Sequence, residues 1–296
     1  MQGWRSPSTG RSRRKGQGMA RIWLHIGHGK TGTSSIQWAM AERSRLRRDV
    51  IYPARGRSNQ MAHHGLFPLK GEAYGPETVQ TLRQISERLA SVTVPALLSS
   101  EHLCHASERK VTQISKAFAG HDLRVVYYIR RQDDLLESAF RQRQSAQPGA
   151  CPDPALFLER FAKGFDFENR LQPWRTVFGD EAITLRLYHP TIIGSDVVAD
   201  IERLLGLPDW PERTAGQKNP SLTAAGTRKV MEAALTSPET ALRLAQELRG
   251  VDTEGDNSPF YDAPTRQTIM ERYRASNQRI AEQFLDEEAA ALFLKA

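Results

Sequence analysis

The chain has 296 residues, of which 39% are hydrophobic and 25% charged, with a formal charge of +7. That is enough chain to bury a substantial core, and the composition is that of a globular protein rather than a disordered or fibrous one. Five of the net positive charges lie in residues 1–18, on Arg5, Arg11, Arg13, Arg14 and Lys15, so the basic balance excludes reading the whole protein as a nucleic-acid binder. Residues 1–18 are poor in apolar side chains and are expected to form a disordered basic tail, with 19–296 as a single domain. No run reaches the ~18–20 apolar residues that cross a bilayer. No apolar segment of the secretory type follows the basic start, so no stable membrane insertion is expected. Two cysteines, Cys104 and Cys151, make neither a disulfide framework nor a metal-ligand spacing, which fits a reduced, cytoplasmic location.

In chain order, residues 21–26 are apolar enough for a buried strand. Gly27, Gly29 and Gly32 follow, with Lys30 among them, and then a helical pattern to about Arg48 that sets Ile36, Ala39, Met40 and Leu46 on one side. Val50, Ile51 and Tyr52 predict a short strand stopped by Pro53. Residues 54–75 read as a loop carrying His63 and His64, and 76–91 as a helix with Pro76 in its first turn. Residues 94–100 predict a strand running into Glu101 and His102, followed by a helix over 107–118. The clearest buried strand is 123–129, LRVVYYI, which runs into Arg130 and Arg131; Asp133 is placed to cap a helix through about Gln144. Helices are expected at 154–162 and 171–178, a strand at 181–188, and a helix at 196–205 ending at Gly206. After a loop at 208–220 the chain reads as helical, with a break near 250–263. Strands alternating with helices imply an α/β fold, a P-loop-like parallel sheet with helices on both faces.

The stretch RIWLHIGHGKTGTSSIQ from Arg21 to Gln37 orders a strand, a glycine-rich turn, a lysine, hydroxyl residues and a helix. Glycines let the backbone bend close to a ligand. The helix start offers free N–H groups and the positive end of its dipole. Lys30 adds a full charge, and Thr31, Thr33, Ser34 and Ser35 add hydroxyls. Such a site suits a phosphate. A nucleoside-triphosphate loop needs a glycine five residues before its Gly-Lys-Thr, where this chain has Leu24. The glycine spacing also matches a dinucleotide fingerprint. Against that stand the lysine inside the loop and the lack of an acid closing the next strand, since Asp49 precedes Val50.

Lys30-Thr31-Gly32-Thr33-Ser34 resembles the 5′-phosphosulfate loop of the sulfotransferases that use 3′-phosphoadenosine 5′-phosphosulfate, and HIGHGKTGTSSIQ is similar to the opening of the bacterial-type branch. Arg130, at a strand end, and Ser138, eight positions later on the next helix, resemble that family's 3′-phosphate pair. An arginine fork suits a phosphate dianion. The resemblance runs from Met19 to about residue 235 and implies a sulfotransferase-like fold. It implies transfer of a sulfuryl group to an acceptor hydroxyl, with 3′-phosphoadenosine 5′-phosphate as product and no metal. Lys30 would neutralise the bridging oxygen. Thr31, Gly32, Thr33 and Ser34 would hold the 5′-phosphate and Arg130 and Ser138 the 3′-phosphate; Lys218 and Asn219 would form a late basic loop beside the 3′-phosphate and adenine, or else a plain loop with Ser221 capping the next helix. A carbohydrate or glycolipid acceptor follows by family analogy.

A hydroxyl that attacks sulfur must lose its proton, so a general base is expected within reach. Glu101, at the end of a strand, is the candidate carboxylate, with His63, His64 or His102 as the competing base; Glu101 could instead cap the following helix. Arg131 reads as a structural neighbour and Trp174 as core. Two other classes fit the loop. A kinase-like P-loop phosphotransferase would use Glu101 as its magnesium-binding acid. A non-catalytic nucleotide-binding protein would keep Arg130 and Ser138 and tolerate loss of Lys30 and Glu101.

Overall fold

A computed structural model describes residues 21–194, 196–213, 222–249, 251 and 258–295. The expected basic tail at 1–18, Lys218 and Asn219 lie outside the described residues. Four strands form one parallel sheet in the order β2-β1-β3-β4: β1 (Arg21–His25), β2 (Ala96–Ser99), β3 (Asp122–Ile129) and β4 (Ile183–Leu187). Between β1 and β2 come α1 (Thr33–Leu46) and α2 (Pro76–Leu89); α3 (Glu108–Ala117) connects β2 to β3. From β3 to β4 run α4 (Gln132–Ala146), α5 (Pro154–Phe161) and α6 (Phe167–Phe178). Beyond β4 lie α7 (Pro190–Ile193), α8 (Val197–Leu205), α9 (Ala224–Thr236), α10 (Pro238–Glu247), α11 (Ala263–Arg272), α12 (Arg274–Phe284) and α13 (Glu287–Leu294).

The alternation of side chains along each strand builds two cores, one per face. Ile22, Leu24, Leu98, Val125 and Tyr127 pack with Leu82 of α2, Ile114 of α3, Trp174 of α6 and Phe293 of α13. Trp23, Leu97, Val126 and Tyr128 point the other way, onto Ile36 and Met40 of α1 and Ile201 of α8. The sheet is therefore covered on both faces, as its apolar strands require. Trp174 is fully buried in the first core. Among the described residues no helix is long and apolar enough to cross a membrane.

Two local expectations are corrected. Val50–Pro53 is not a strand: a single parallel bridge joins Ile51 to Ala96, with Ile51 N–H on the Pro95 carbonyl at 2.8 Å and Leu97 N–H on the Ile51 carbonyl at 2.9 Å. Pro53 and Pro95 lack the N–H groups a longer ladder needs. Asp133 is not the cap of α4 but lies in its first turn, with Arg131 at the cap position. Its carboxylate accepts from Asp134 N–H at 2.9 Å and pairs with Arg131 at 3.1 Å and Arg266 at 3.3 Å.

The order of the strands decides where a ligand can sit. The chain leaves β1 to one side for β2 and returns across it to β3, so β1 and β3 flank a topological switch point. In open α/β sheets the binding crevice lies at the strand carboxyl ends beside such a point.

Candidate active site

All four strand ends feed one cleft of ≈ 540 Å³. After β1 come Gly29, Lys30 and Gly32, then Thr33, Ser34 and Ser35 in the first turn of α1; after β2 comes Glu101, after β3 Arg130, and after β4 Tyr188. Ser138, on α4, lines the same space. The volume is in the range of small-molecule sites.

The loop after β1 is shaped by two left-handed residues, Lys30 at φ 72° and Gly32 at φ 75°. For lysine that conformation costs about 1–3 kcal/mol, a strain typical of functional turns. A Cβ at Gly32 would come 2.6 Å from Val197 Cγ1, and one at Gly27 would come 2.6 Å from His25 Nε2. Gly29 meets nothing within 4 Å and faces open space. Gly32 is also the N-cap of α1 and offers no side chain to the helix start, whose first turn carries no acid. By contrast Ser107, Asp153, Asp166 and Asp196 cap α3, α5, α6 and α8. The first turn of α1 thus has no side-chain cap, as is also the case for α2 and α4.

Thr31 is turned away from the cleft: it is fully buried and its hydroxyl donates to the His28 carbonyl at 2.8 Å. Thr33 reaches the cleft but spends its hydroxyl proton on the same carbonyl, at 3.1 Å. Ser34 and Ser35 line the cleft beside them. Burial, and then the charges of Arg141 and Arg130, lower the pKa of Lys30. Arg130 is only loosely paired within the chain, 3.8 Å from Asp134. Asp134 is itself bound by Arg266, and Asp133 by Arg131 and Arg266, so the neighbouring carboxylates are neutralised elsewhere. Arg131 has the structural role expected for it, with a further bond to the Lys295 carbonyl.

Glu101 opens a short 3₁₀ turn, Glu101–His105, capped by Ser100. It does not itself cap α3; Ser107 does. Its Oε2 accepts from Gln37 Nε2 at 3.2 Å, and Gln37 also donates to Ser99 Oγ at 3.1 Å. Gln37, on α1, therefore ties the phosphate-loop helix to the end of β2. His64 Nε2 lies 3.5 Å from the same Glu101 oxygen. His63 is buried away, with Nδ1 accepting from Ser99 N–H at 3.1 Å and Nε2 donating to the Pro53 carbonyl at 2.7 Å. His102 donates from Nδ1 to the Phe67 carbonyl at 2.9 Å.

No family model matches the chain. A curated protein of Archaeoglobus fulgidus, described only as uncharacterized, is 25% identical over 197 residues, which are 64% of this chain and 53% of that protein. The chain thus spans about half the length of that relative. Among solved structures, a sulfotransferase from Alicyclobacillus acidocaldarius aligns over 90% of this chain and 97% of its own, with a TM-score of 0.49 and 16% identity. The mouse sulfotransferase SULT7A1 complexed with PAP aligns over 94% and 89%, with a TM-score of 0.42 and 14% identity. A sulfotransferase domain from the curacin biosynthetic pathway aligns over 87% and 99%, with a TM-score of 0.40 and 12% identity.

The cleft also holds residues that sequence reasoning missed. Arg141, Gln142 and Ser145 line it from α4, three, four and seven positions after Ser138. That is one face of a helix, so placing Ser138 at the site implied them. Arg249 arrives from beyond α10, where its Nη2 donates to Ser145 Oγ at 3.0 Å. Gln60, Tyr188 and Leu222 complete the wall. Nothing local in the sequence marks these four.

Three buried histidines brace the site and predict acid lability. Burial pushes His25 down to about 3 and His63 to about 4; burial, followed by the charge of His105, pushes His28 to about 3. Unfolded, each takes its proton near pH 6.5; folded, each resists it to pH 3–4. The unfolded chain therefore binds more protons in that interval. The contribution of these groups is complete above the unfolded value and is lost as pH falls below it. At pH 5.5 the loss is about 1 kcal/mol per histidine, so Tm is expected to fall by several degrees between pH 7.5 and 5.5. A Tm that is flat across that range would contradict the buried, neutral assignment.

Proposed function

We propose that the chain is a sulfotransferase that moves the sulfuryl group of 3′-phosphoadenosine 5′-phosphosulfate to an acceptor hydroxyl. The observation that carries this reading is the meeting of Lys30, Glu101, Arg130 and Ser138, from three strand ends and one helix, in a single cleft. The donor set fits a nucleotide polyanion: Lys30, Arg130, Arg141 and Arg249 line the cleft, with an uncapped helix start beside them.

Bound there, the nucleotide supplies an activated sulfuryl group. Gly32, Thr33 and Ser34 would hold the 5′-phosphate. Thr31 contributes to the loop rather than to the ligand, since its hydroxyl is committed to His28. Arg130 and Ser138 would hold the 3′-phosphate, with Arg141 and Arg249 as further cations. Lys30 would stabilise charge that develops on the bridging oxygen. Glu101, opposite, would take the proton of the acceptor hydroxyl. The same cations make an added metal unnecessary for charge neutralisation. A polar acceptor suits the cleft, whose lining includes Gln60, Ser34 and Ser35 and, as apolar residues, Ala146, Tyr188 and Leu222. We therefore propose a carbohydrate or glycolipid headgroup as acceptor. A cytoplasmic, reducing setting suits the buried free thiols Cys104 and Cys151.

The test is conversion of 3′-phosphoadenosine 5′-phosphosulfate to 3′-phosphoadenosine 5′-phosphate in the presence of a panel of sugars and glycolipids. Acceptor-dependent release of the bisphosphate without added metal is expected. Consumption of ATP with magnesium, and none of the sulfuryl donor, would overturn the reading in favour of a phosphotransferase.

A further inference from the structure

We propose that His64 is a positioning residue for Glu101: its Nε2 steadies the carboxylate and, once protonated in acid, pairs with it and switches its basicity off. This rests on Glu101 being the base under the reading above.

The hydrogen bonds distinguish His63, His64 and His102, the candidate histidines. His63 has both ring nitrogens committed, to Ser99 N–H and the Pro53 carbonyl. His102 has Nδ1 on the Phe67 carbonyl. His64 presents Nε2 to Glu101 Oε2 at 3.5 Å, an approach that can tighten when a ligand is bound. The ring is held in that orientation from two sides. Its Nδ1 lies 2.8 Å from Ser100 Oγ, and its face stacks on His102 with centroids 3.9 Å apart and planes 15° from parallel. His102 is in turn anchored at Phe67, so the stack is a fixed wall. The same Glu101 oxygen also accepts from Gln37 Nε2, at 3.2 Å. Its Oε2 is thereby tied both to α1 and to the loop that carries His64.

The titratable groups facing His64 are Glu101 and His102 on the turn after β2 and His63 on its own loop. Burial lowers the pKa of His64; the Glu101 carboxylate opposes it, and His102 adds a smaller lowering. At neutral pH the imidazole is thus uncharged and leaves the Glu101 anion a competent base. A proton on His64 would place a cation against that anion and lower its affinity for the acceptor's proton.

Two measurements on the full chain test this. In the first, the imidazole resonance of His64, assigned by its loss in His64→Gln, is followed by NMR against pH. Glu101→Gln should lower the apparent pKa of His64 by about half a unit or more, since an opposite charge at this distance raises it. In the second, pH–rate profiles are compared for wild type, His64→Gln, His64→Ala and Glu101→Gln, with conversion of 3′-phosphoadenosine 5′-phosphosulfate as readout. His64→Ala should lower kcat about tenfold with the KM for the donor unchanged. His64→Gln, a neutral hydrogen-bonding replacement, should restore most of kcat at pH 8 and move the acidic limb to lower pH. An unshifted His64 resonance in Glu101→Gln, together with wild-type profiles in both His64 variants, would overturn the proposal while leaving Glu101 as base. Full turnover in Glu101→Gln would instead overturn the reading of the base itself.

Discussion

Replacing Lys30 by alanine is expected to lower turnover of the sulfuryl donor by about 10²–10³-fold, the usual cost of losing one electrostatic contact to a developing charge. Nucleotide affinity should change by no more than about tenfold. The separation follows from the neighbours. Ground-state charge on the nucleotide would be shared among Arg130, Arg141, Arg249 and the N–H groups at the start of α1, so one cation fewer is partly compensated. Charge that grows on a bridging oxygen as its bond to sulfur breaks is local, and Lys30 is the cation carried by the loop itself. The left-handed backbone at Lys30 disfavours alanine as it does lysine, so the exchange leaves the loop's strain as it was. Burial and the adjacent arginines also make the ammonium a readier proton donor than a solvated lysine. Single-turnover kinetics with a parallel binding titration separate the two effects. Equal turnover in the variant would remove Lys30 from the chemistry.

Replacing Glu101 by glutamine is expected to cost about 10²–10⁴-fold in kcat, the usual range for a positioned general base. Glutamine keeps the size and can still accept from Gln37 Nε2, so Tm and nucleotide binding should stay near wild type. What is lost is the basic oxygen. The acidic limb of the pH–rate profile should flatten with it, because no base is left for a proton on His64 to silence. A kcat within threefold of wild type would leave Glu101 as a structural link between the turn after β2 and α1.

Much of this site was legible because its elements are local. A strand, a short glycine turn with Lys30, and a helix start are contiguous, and the eight-residue step from Arg130 to Ser138 spans one strand end and the helix after it. The alternation of strands and helices sufficed for a parallel sheet covered on both faces. What was missed depends on direction or on tertiary packing. Thr31 sits in the motif, but the His28 carbonyl draws its hydroxyl inward. Ile51 lies in an apolar run with strand propensity, yet Pro53 after it and Pro95 on the facing segment reduce it to one bridge. Asp133 has the chemistry of a cap, but Arg131 and Arg266 claim its carboxylate within the first turn of α4. Arg249 reaches the cleft from more than a hundred residues after Ser138, a juxtaposition that only the folded chain creates.

The central claim is that the cleft reads a nucleotide by its 3′-phosphate. It is tested most directly by thermal-shift titration with adenosine 3′,5′-bisphosphate, ADP with magnesium and NAD, on wild type and on Arg130→Ala. A ligand at a hundred times its dissociation constant adds about 2.7 kcal/mol to stability, which is a shift of several degrees in a chain of this size. The bisphosphate alone should produce that shift in wild type. In Arg130→Ala its affinity should fall by about 10–100-fold, the cost of removing a charged hydrogen-bond partner. Stabilisation by ADP or NAD, with none by the bisphosphate, would contradict the account and return the loop to the nucleotide-binding classes it otherwise resembles.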